Sequence, residues 1–109
     1  MGADTFIAIY GIRYELTDSE VESCERKDDE RMKRARKAKL DFCFDRPTDG
    51  EHYFLYIGTT LASIGVEAEQ YETMPEGEFS AKISETRRRL KDAGFNDEPS
   101  LHFQLIAQY

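Results

Sequence analysis

Asp41, Cys43 and His102 are the side chains whose chemistry could bind a metal or attack a substrate. A carboxylate, a thiolate and an imidazole can together bind zinc, and a cysteine beside a histidine can act as a nucleophile with its base. The two cysteines and two histidines of the chain show no repeated short spacing, however. In the fold predicted below, Cys43 and His102 lie at opposite sheet edges, about 14 Å apart at about 4.8 Å per strand. We therefore expect no metal and no cofactor, and an enzyme is not the favoured interpretation.

A different chemistry would use Arg13 to hold an anion. Tyr10, Tyr56 or His102 would then transfer a proton to or from the bound molecule. A small enzyme or an anionic-ligand-binding domain is therefore the first alternative function.

Residues 31–39 carry six basic side chains in nine positions, enough to contact phosphate groups. The net charge of the whole chain is −7, which repels nucleic acid. Basic residues at the end of a helix also compensate its dipole, and we favour that role. Nucleic-acid binding through residues 31–39 is the second alternative, and a nucleic-acid partner is not expected.

The strands that must position these residues are predicted from the hydrophobic pattern. Residues 5–16 and 52–58 have apolar side chains on both faces, which is typical of central strands. Residues 40–45 and 100–108 alternate strictly and are predicted to be half-buried edge strands. The inward-facing residues of the last strand are expected to be Leu101, Phe103, Leu105 and Ala107.

Two helices are predicted between the strands. Thr17 and Glu20 have the spacing of a capping box, and the acidic residues that follow precede the basic ones, as the helix dipole favours. This first helix covers residues 18–39. One continuous helix would be longer than the neighbouring strands, so we expect either a break near Asp28 and Asp29 or a basic end that overhangs the sheet. A second helix covers residues 76–93 and ends at a glycine that can take a left-handed conformation.

The order strand, helix, strand, strand, helix, strand predicts a single α+β domain, residues 1–109, with a ferredoxin-like βαββαβ sandwich. In this fold an antiparallel sheet carries two helices on one face, and residues 46–50 form the hairpin turn. The alternative is an open antiparallel meander, in which residues 61–66 turn back at Gly58 as an added strand.

The sheet face opposite the helices is the predicted binding surface. Its apolar members would not stay exposed in a monomer, so we expect residues 59–75, a second copy or a ligand to cover them. Within residues 59–75, Tyr71 and Met74 are expected to pack as a lid. The candidate binding residues on the sheet face are Ile7, Ile9, Arg13, Phe54, Tyr56, His102 and Gln104.

The composition and the first residues of the chain indicate where in the cell the protein is expected. Seven Phe and six Tyr among 109 residues indicate a folded domain, and no apolar run is long enough to span a bilayer. The first residues lack a secretory signal, so we expect a cytoplasmic protein with free thiols at Cys24 and Cys43, although a disulfide between them stays open.

Together these features favour a small acidic protein-interaction or regulatory module. We expect it to form a homodimer or to bind a protein partner. It would present the open sheet face and residues 59–75 to that partner.

Overall fold

The two apolar runs form the central strands of one antiparallel sheet. The computed structural model describes residues 4–45, 52–65 and 69–106. Within them the strand order is β2-β3-β1-β4, with antiparallel pairing throughout, so the protein is of the α+β class. The elements in chain order are β1 (Thr5–Glu15), α1 (Asp18–Glu25), α2 (Glu30–Lys37), β2 (Asp41–Asp45), β3 (Phe54–Gly65), α3 (Glu76–Asp92) and β4 (Ser100–Ile106).

Strand β3 is longer than its sequence pattern indicates. The predicted turn at Gly58 and the separate strand over residues 61–66 are wrong, because the chain continues in β3 as far as Gly65. Pairing with β1 runs from Glu15 opposite Phe54 to Thr5 opposite Gly65, with one irregularity beside Ala8. Threonine favours strands, so Thr59 and Thr60 continue the pairing instead of ending it. Val66 and the predicted hairpin turn at residues 46–50 lie outside the described residues.

Gly58 allows β1 and β3 to approach each other closely and does not form a turn. It lies directly opposite Gly11 at the middle of the β1–β3 pair. A Cβ atom on Gly11 would lie 2.0 Å from the carbonyl oxygen of Ile57, and a Cβ on Gly58 would lie 2.0 Å from that of Tyr10. Only glycine fits at either position, since the obstacle is backbone that cannot rotate away.

The basic and acidic halves of residues 18–39 form two short helices. The predicted capping box of Thr17 and Glu20 starts α1, and the predicted break lies at residues 26–29. Lys27 there has a φ of 61°, in the left-handed region. Asp29 then caps α2, since its Oδ1 accepts the backbone N–H of Arg31 at 2.8 Å.

Helix α3 ends as its sequence predicts. Gly94 has a φ of 89°, and the backbone N–H of Phe95 donates to the carbonyl of Leu90 at 2.9 Å. Phe95 is buried beside Leu90, which completes a Schellman-type end.

All three helices contribute to a single buried cluster on one face of the sheet. We call this the helix-side face, and the opposite one the open face. None of the described helices is long and apolar enough to cross a membrane. The buried cluster consists of Ile12, Leu16, Cys24, Met32, Ala35, Leu40, Leu55, Ile57, Leu90 and Phe95.

Substituting Gly11→Ala should lower the free energy of unfolding by about 3 kcal/mol or more, because the new methyl group would overlap the backbone of β3. Gly77→Ala is the matched control, since a Cβ there meets nothing within 4 Å in the first turn of α3. That control should leave stability unchanged or raise it by up to about 1 kcal/mol. Urea unfolding of the three proteins measures the difference, and equal stability of both variants would contradict the close approach.

Asp29 should make the free energy of unfolding depend on pH. Burial alone would raise its pKa, but hydrogen bonds from the side chain and backbone of Arg31 outweigh burial and lower it. A carboxyl whose pKa is lower in the folded state stabilises the protein above its unfolded pKa, and that stability is lost as the pH falls. Asp29→Asn should therefore be less stable than the natural chain at neutral pH. The difference should shrink in urea unfolding curves taken below about pH 4, and a constant difference would contradict this role.

Candidate functional site

The apolar centre of the open face is covered within the chain. Ile9 and Tyr56 are each only 2% exposed, and Ile7 is also buried beside them. Phe54 and Cys43 pack against this group. From the sequence we expect residues 59–75, a second copy or a ligand to cover these side chains, but Ile7, Ile9 and Tyr56 are already buried in the single chain.

Three polar side chains on the open face are joined by one hydrogen bond and one contact between rings. The Tyr56 hydroxyl donates to Gln104 Oε1 at 2.6 Å, which links β3 to β4 across β1. The ring of His102 meets the edge of the Tyr56 ring with centroids 5.7 Å apart. His102 Nε2 lies 3.1 Å from the carbonyl oxygen of Gly11. Tyr56, His102 and Gln104, which the sequence places on one face, are thus brought together.

Arg13 lies beside Tyr56 on the open face, since the two residues are opposite each other in the β1–β3 pair. Its guanidinium carbon is 3.5 Å from the centroid of the Phe54 ring, a cation–π contact. Tyr10, proposed as a proton-transfer partner for Arg13, is on the helix-side face instead, where its hydroxyl accepts from Arg87 Nη2 at 3.1 Å. The structure therefore separates Tyr10 from the anion site that the sequence suggests.

Burial favours the neutral forms of two side chains of the open face, the Tyr56 phenol and the Cys43 thiol. Burial raises the pKa of the Tyr56 phenol, with Arg13 acting in the opposite direction. Burial and the nearby carboxylate of Asp45 raise the pKa of the Cys43 thiol. A raised pKa keeps a thiol protonated and poorly nucleophilic near neutral pH. These groups suit a packed, hydrogen-bonded surface better than acid–base or nucleophilic chemistry.

The residues suggested as metal ligands are divided between strands. Cys43 lies on β2 and His102 on β4, the two edge strands of the sheet. Asp41 Oδ2 accepts the backbone N–H of Thr60 at 2.8 Å, so this carboxylate already binds β3. Among residues 4–45, 52–65 and 69–106, no three Asp, Glu, Cys or His side chains are grouped as metal ligands would be.

The two cysteines lie on opposite faces of the sheet. Cys24 belongs to the helix-side cluster, where burial first and the charge of Asp29 second raise the pKa of its thiol to about 11. Cys43 packs with the open-face group, and both thiols are free. The disulfide that the sequence left open is therefore not formed, because the sheet stands between the two sulfur atoms.

Among the described residues, a group of exposed apolar side chains lies on and beside β4. Phe103 is 61% exposed and Leu105 57% exposed, and Phe6 and Leu101 beside them are also exposed. The sequence predicts that Leu101, Phe103 and Leu105 face inward and are buried, and the burial is wrong. They do lie on the helix-side face, but α3 packs mainly over β1 and β3 and leaves these three side chains exposed. We call Phe6, Leu101, Phe103 and Leu105 the β4 patch.

A shallow apolar groove of about 150 Å³ continues the β4 patch toward the segment before α3. Ala8, Met74 and Phe79 line it together with Leu101 and Phe103. Met74 thus lies on the helix-side face, away from the open face where a lid was expected. Tyr71 is 73% exposed and does not pack as part of a lid.

The β4 patch was missed because alternation in a sequence shows which residues share a face but not whether a helix covers them. One signal was available. Residues 100–106 contain no charged residue, proline or glycine, which is unusual for a strand at an edge.

Tyr56→Phe should lower the free energy of unfolding by about 1 kcal/mol, because it removes a buried hydroxyl that bonds Gln104. Tyr71→Phe is the matched control, since it removes the same hydroxyl from a side chain that is 73% exposed. Urea unfolding should show a loss for the first variant alone. Equal stability of both variants would mean that the bond across β1 contributes nothing.

Comparison of the chain with protein-family models, curated proteins and solved structures found no match. A function for this chain must therefore be inferred from the surfaces of the described residues. The open face is internally bonded, whereas the β4 patch and its groove present apolar side chains to solvent.

Proposed function

We propose that this chain is a protein-interaction module that acts through the β4 patch, and that its partner is a second copy. The observation that carries this proposal is the exposed β4 patch, in which Phe6 and Phe103 stack with ring centroids 5.9 Å apart. Large contiguous apolar patches are uncommon on monomeric proteins and mark interaction surfaces.

The contrast between the two edge strands supports the same surface. Strand β2 is five residues long and has an aspartate at each end, Asp41 and Asp45. Inward or terminal charges and short length are devices that keep an edge strand from pairing with another chain. Strand β4 is seven residues long, is uncharged and pairs with β1 in unbroken register. It has the form of an edge that accepts another strand.

The sequence of β4 is compatible with pairing to itself. Around Phe103 the pattern Leu-His-Phe-Gln-Leu is nearly symmetrical. In an antiparallel pair centred on Phe103, Leu101 would face Leu105 of the second copy, and His102 would face Gln104. Apolar side chains would then meet on one face and hydrogen-bonding ones on the other, as a two-fold interface requires.

We further propose that the fold is a ferredoxin-like variant. Support comes from the central position of β1 and β3, from edge strands β2 and β4, and from helices packed on one face. The difference from the simple βαββαβ pattern is that two short helices, α1 and α2, stand in place of the first helix.

The natural chain should be a dimer by sedimentation equilibrium at micromolar concentration. Phe103→Lys should weaken dimerisation at least about tenfold, because a charge replaces the central apolar contact. Tyr71→Lys is the matched control, since it places the same charge at an exposed aromatic residue outside β4. Dimerisation should also strengthen with salt, because each copy has a net charge of −7.

A monomeric natural chain at these concentrations would contradict the homodimer. An equal loss of dimer in both variants would place the interface elsewhere than β4. Both variants should keep the unfolding free energy of the natural monomer, since the two replaced side chains are mostly exposed.

A further inference from the structure

A basic cleft lies where the C-terminal ends of α2 and α3 converge. Its volume is about 540 Å³. Arg34, Lys37 and Lys39 line it from α2 and the residues after that helix, and Arg88 and Arg89 line it from α3. The two basic stretches that are far apart in the sequence therefore form one surface, on a chain whose net charge is −7.

Two of these bases are engaged by carboxylates. Arg88 bonds Glu85 at 2.7 Å and Asp92 at 3.3 Å, and Arg89 bonds Glu85 at 3.0 Å. In the described parts of the chain, Arg34, Lys37 and Lys39 make no ion pair. Their charges are the ones available to a ligand.

Arg34 is fixed at the wall of the cleft. Its Nη1 donates to the carbonyl oxygens of Ala93 and Gly94, each at 3.4 Å, and its guanidinium lies 4.3 Å from the centroid of the Phe95 ring. Its Nε is buried and has no hydrogen-bond acceptor among the described residues. Arg34 is partly buried. A partly desolvated cation without a carboxylate partner is stabilised by a nearby negative charge, which an anion in the cleft would supply.

Compensation of the helix dipoles does not account for all of this charge. Each helix C-terminus is equivalent to about half a negative charge. The two helix dipoles and the carboxylates of Glu85 and Asp92 neutralise part of the charge of the five basic side chains. About two positive charges remain in the cleft. A phosphate monoester carries about two negative charges at neutral pH.

We propose that this cleft binds a small phosphorylated molecule. Its phosphate group would be held by Lys37, Lys39 and Arg34. The cleft is larger than a phosphate needs and falls within the usual range for small-molecule sites. Ala38 and Ala93 add apolar surface that would pack against the organic part of the ligand.

Isothermal titration of the full chain with pyrophosphate and with ADP, at low ionic strength, tests the site. We expect saturable binding of both probes. Lys37→Gln together with Lys39→Gln should weaken binding at least about tenfold, because two charge-assisted contacts are lost. The matched control is Lys27→Gln with Lys33→Gln. Lys27 and Lys39 have almost the same left-handed φ, 61° and 60°, and Lys33 and Lys37 are both exposed on α2.

Both double variants lower the net charge by two, so an equal loss of affinity would show general charge attraction and overturn the site. Absence of saturable binding by the natural chain would overturn it as well. A single-stranded oligonucleotide that binds more tightly than pyrophosphate, with affinity rising with its length, would assign the bases to nucleic acid instead.

Amide chemical-shift changes in the natural chain locate the ligand without any substitution. Pyrophosphate should shift Ala38, Lys39 and Ala93, which line the cleft, and should leave Leu101 and Phe103 of β4 unmoved. Shifts confined to residues outside the cleft would overturn the proposal.

Discussion

The pairing of β1 with β3 is the constraint on which the rest of the structure depends. Both strands are central, and they pair over the whole length of β1. At the middle of the pair Gly11 and Gly58 bring the backbones together where no side chain fits. The alternation of side chains along β1 and β3 then places Ile12, Leu55 and Ile57 on the helix-side face and Ile9 and Tyr56 on the open face. The pairing of these two strands therefore decides which residues meet on each face.

The local chemistry of the helices could be predicted from the sequence, because caps and breaks depend on neighbouring residues. Thr17 with Glu20 and Gly94 with Phe95 are short-range signals, and the helices begin and end where these residues place them. The candidate residues Tyr56, His102 and Gln104 were also placed correctly on one face, since a strand has a period of two.

The coverage of surfaces could not be predicted, because it depends on where each helix lies over the sheet. Leu101, Phe103 and Leu105 are on the side expected for buried residues, yet α3 lies over β1 and β3 and leaves them exposed. The same limit applies to Gly58. Its local sequence suits a turn as well as a strand, and only pairing with Gly11 decides between them. The basic cleft could not be predicted either. It forms because Lys39 and Arg88 lie close together in the folded chain, and their positions in the sequence do not indicate this.

The position of β1 also has a consequence for the order of folding. Its partners are β3 and β4, and β4 begins at Ser100, so one edge of β1 must wait for residues almost a whole chain length away. Contacts between distant residues slow folding, because the entropy of closing the loop is lost before the contact forms. Without β4, that edge of β1 would have no strand beside it, and Ile9 and Tyr10, which are buried in the folded protein, would lie near solvent. Strand β4 thus acts as a cover for the centre of the sheet, and its own apolar surface is what remains exposed once that cover is in place.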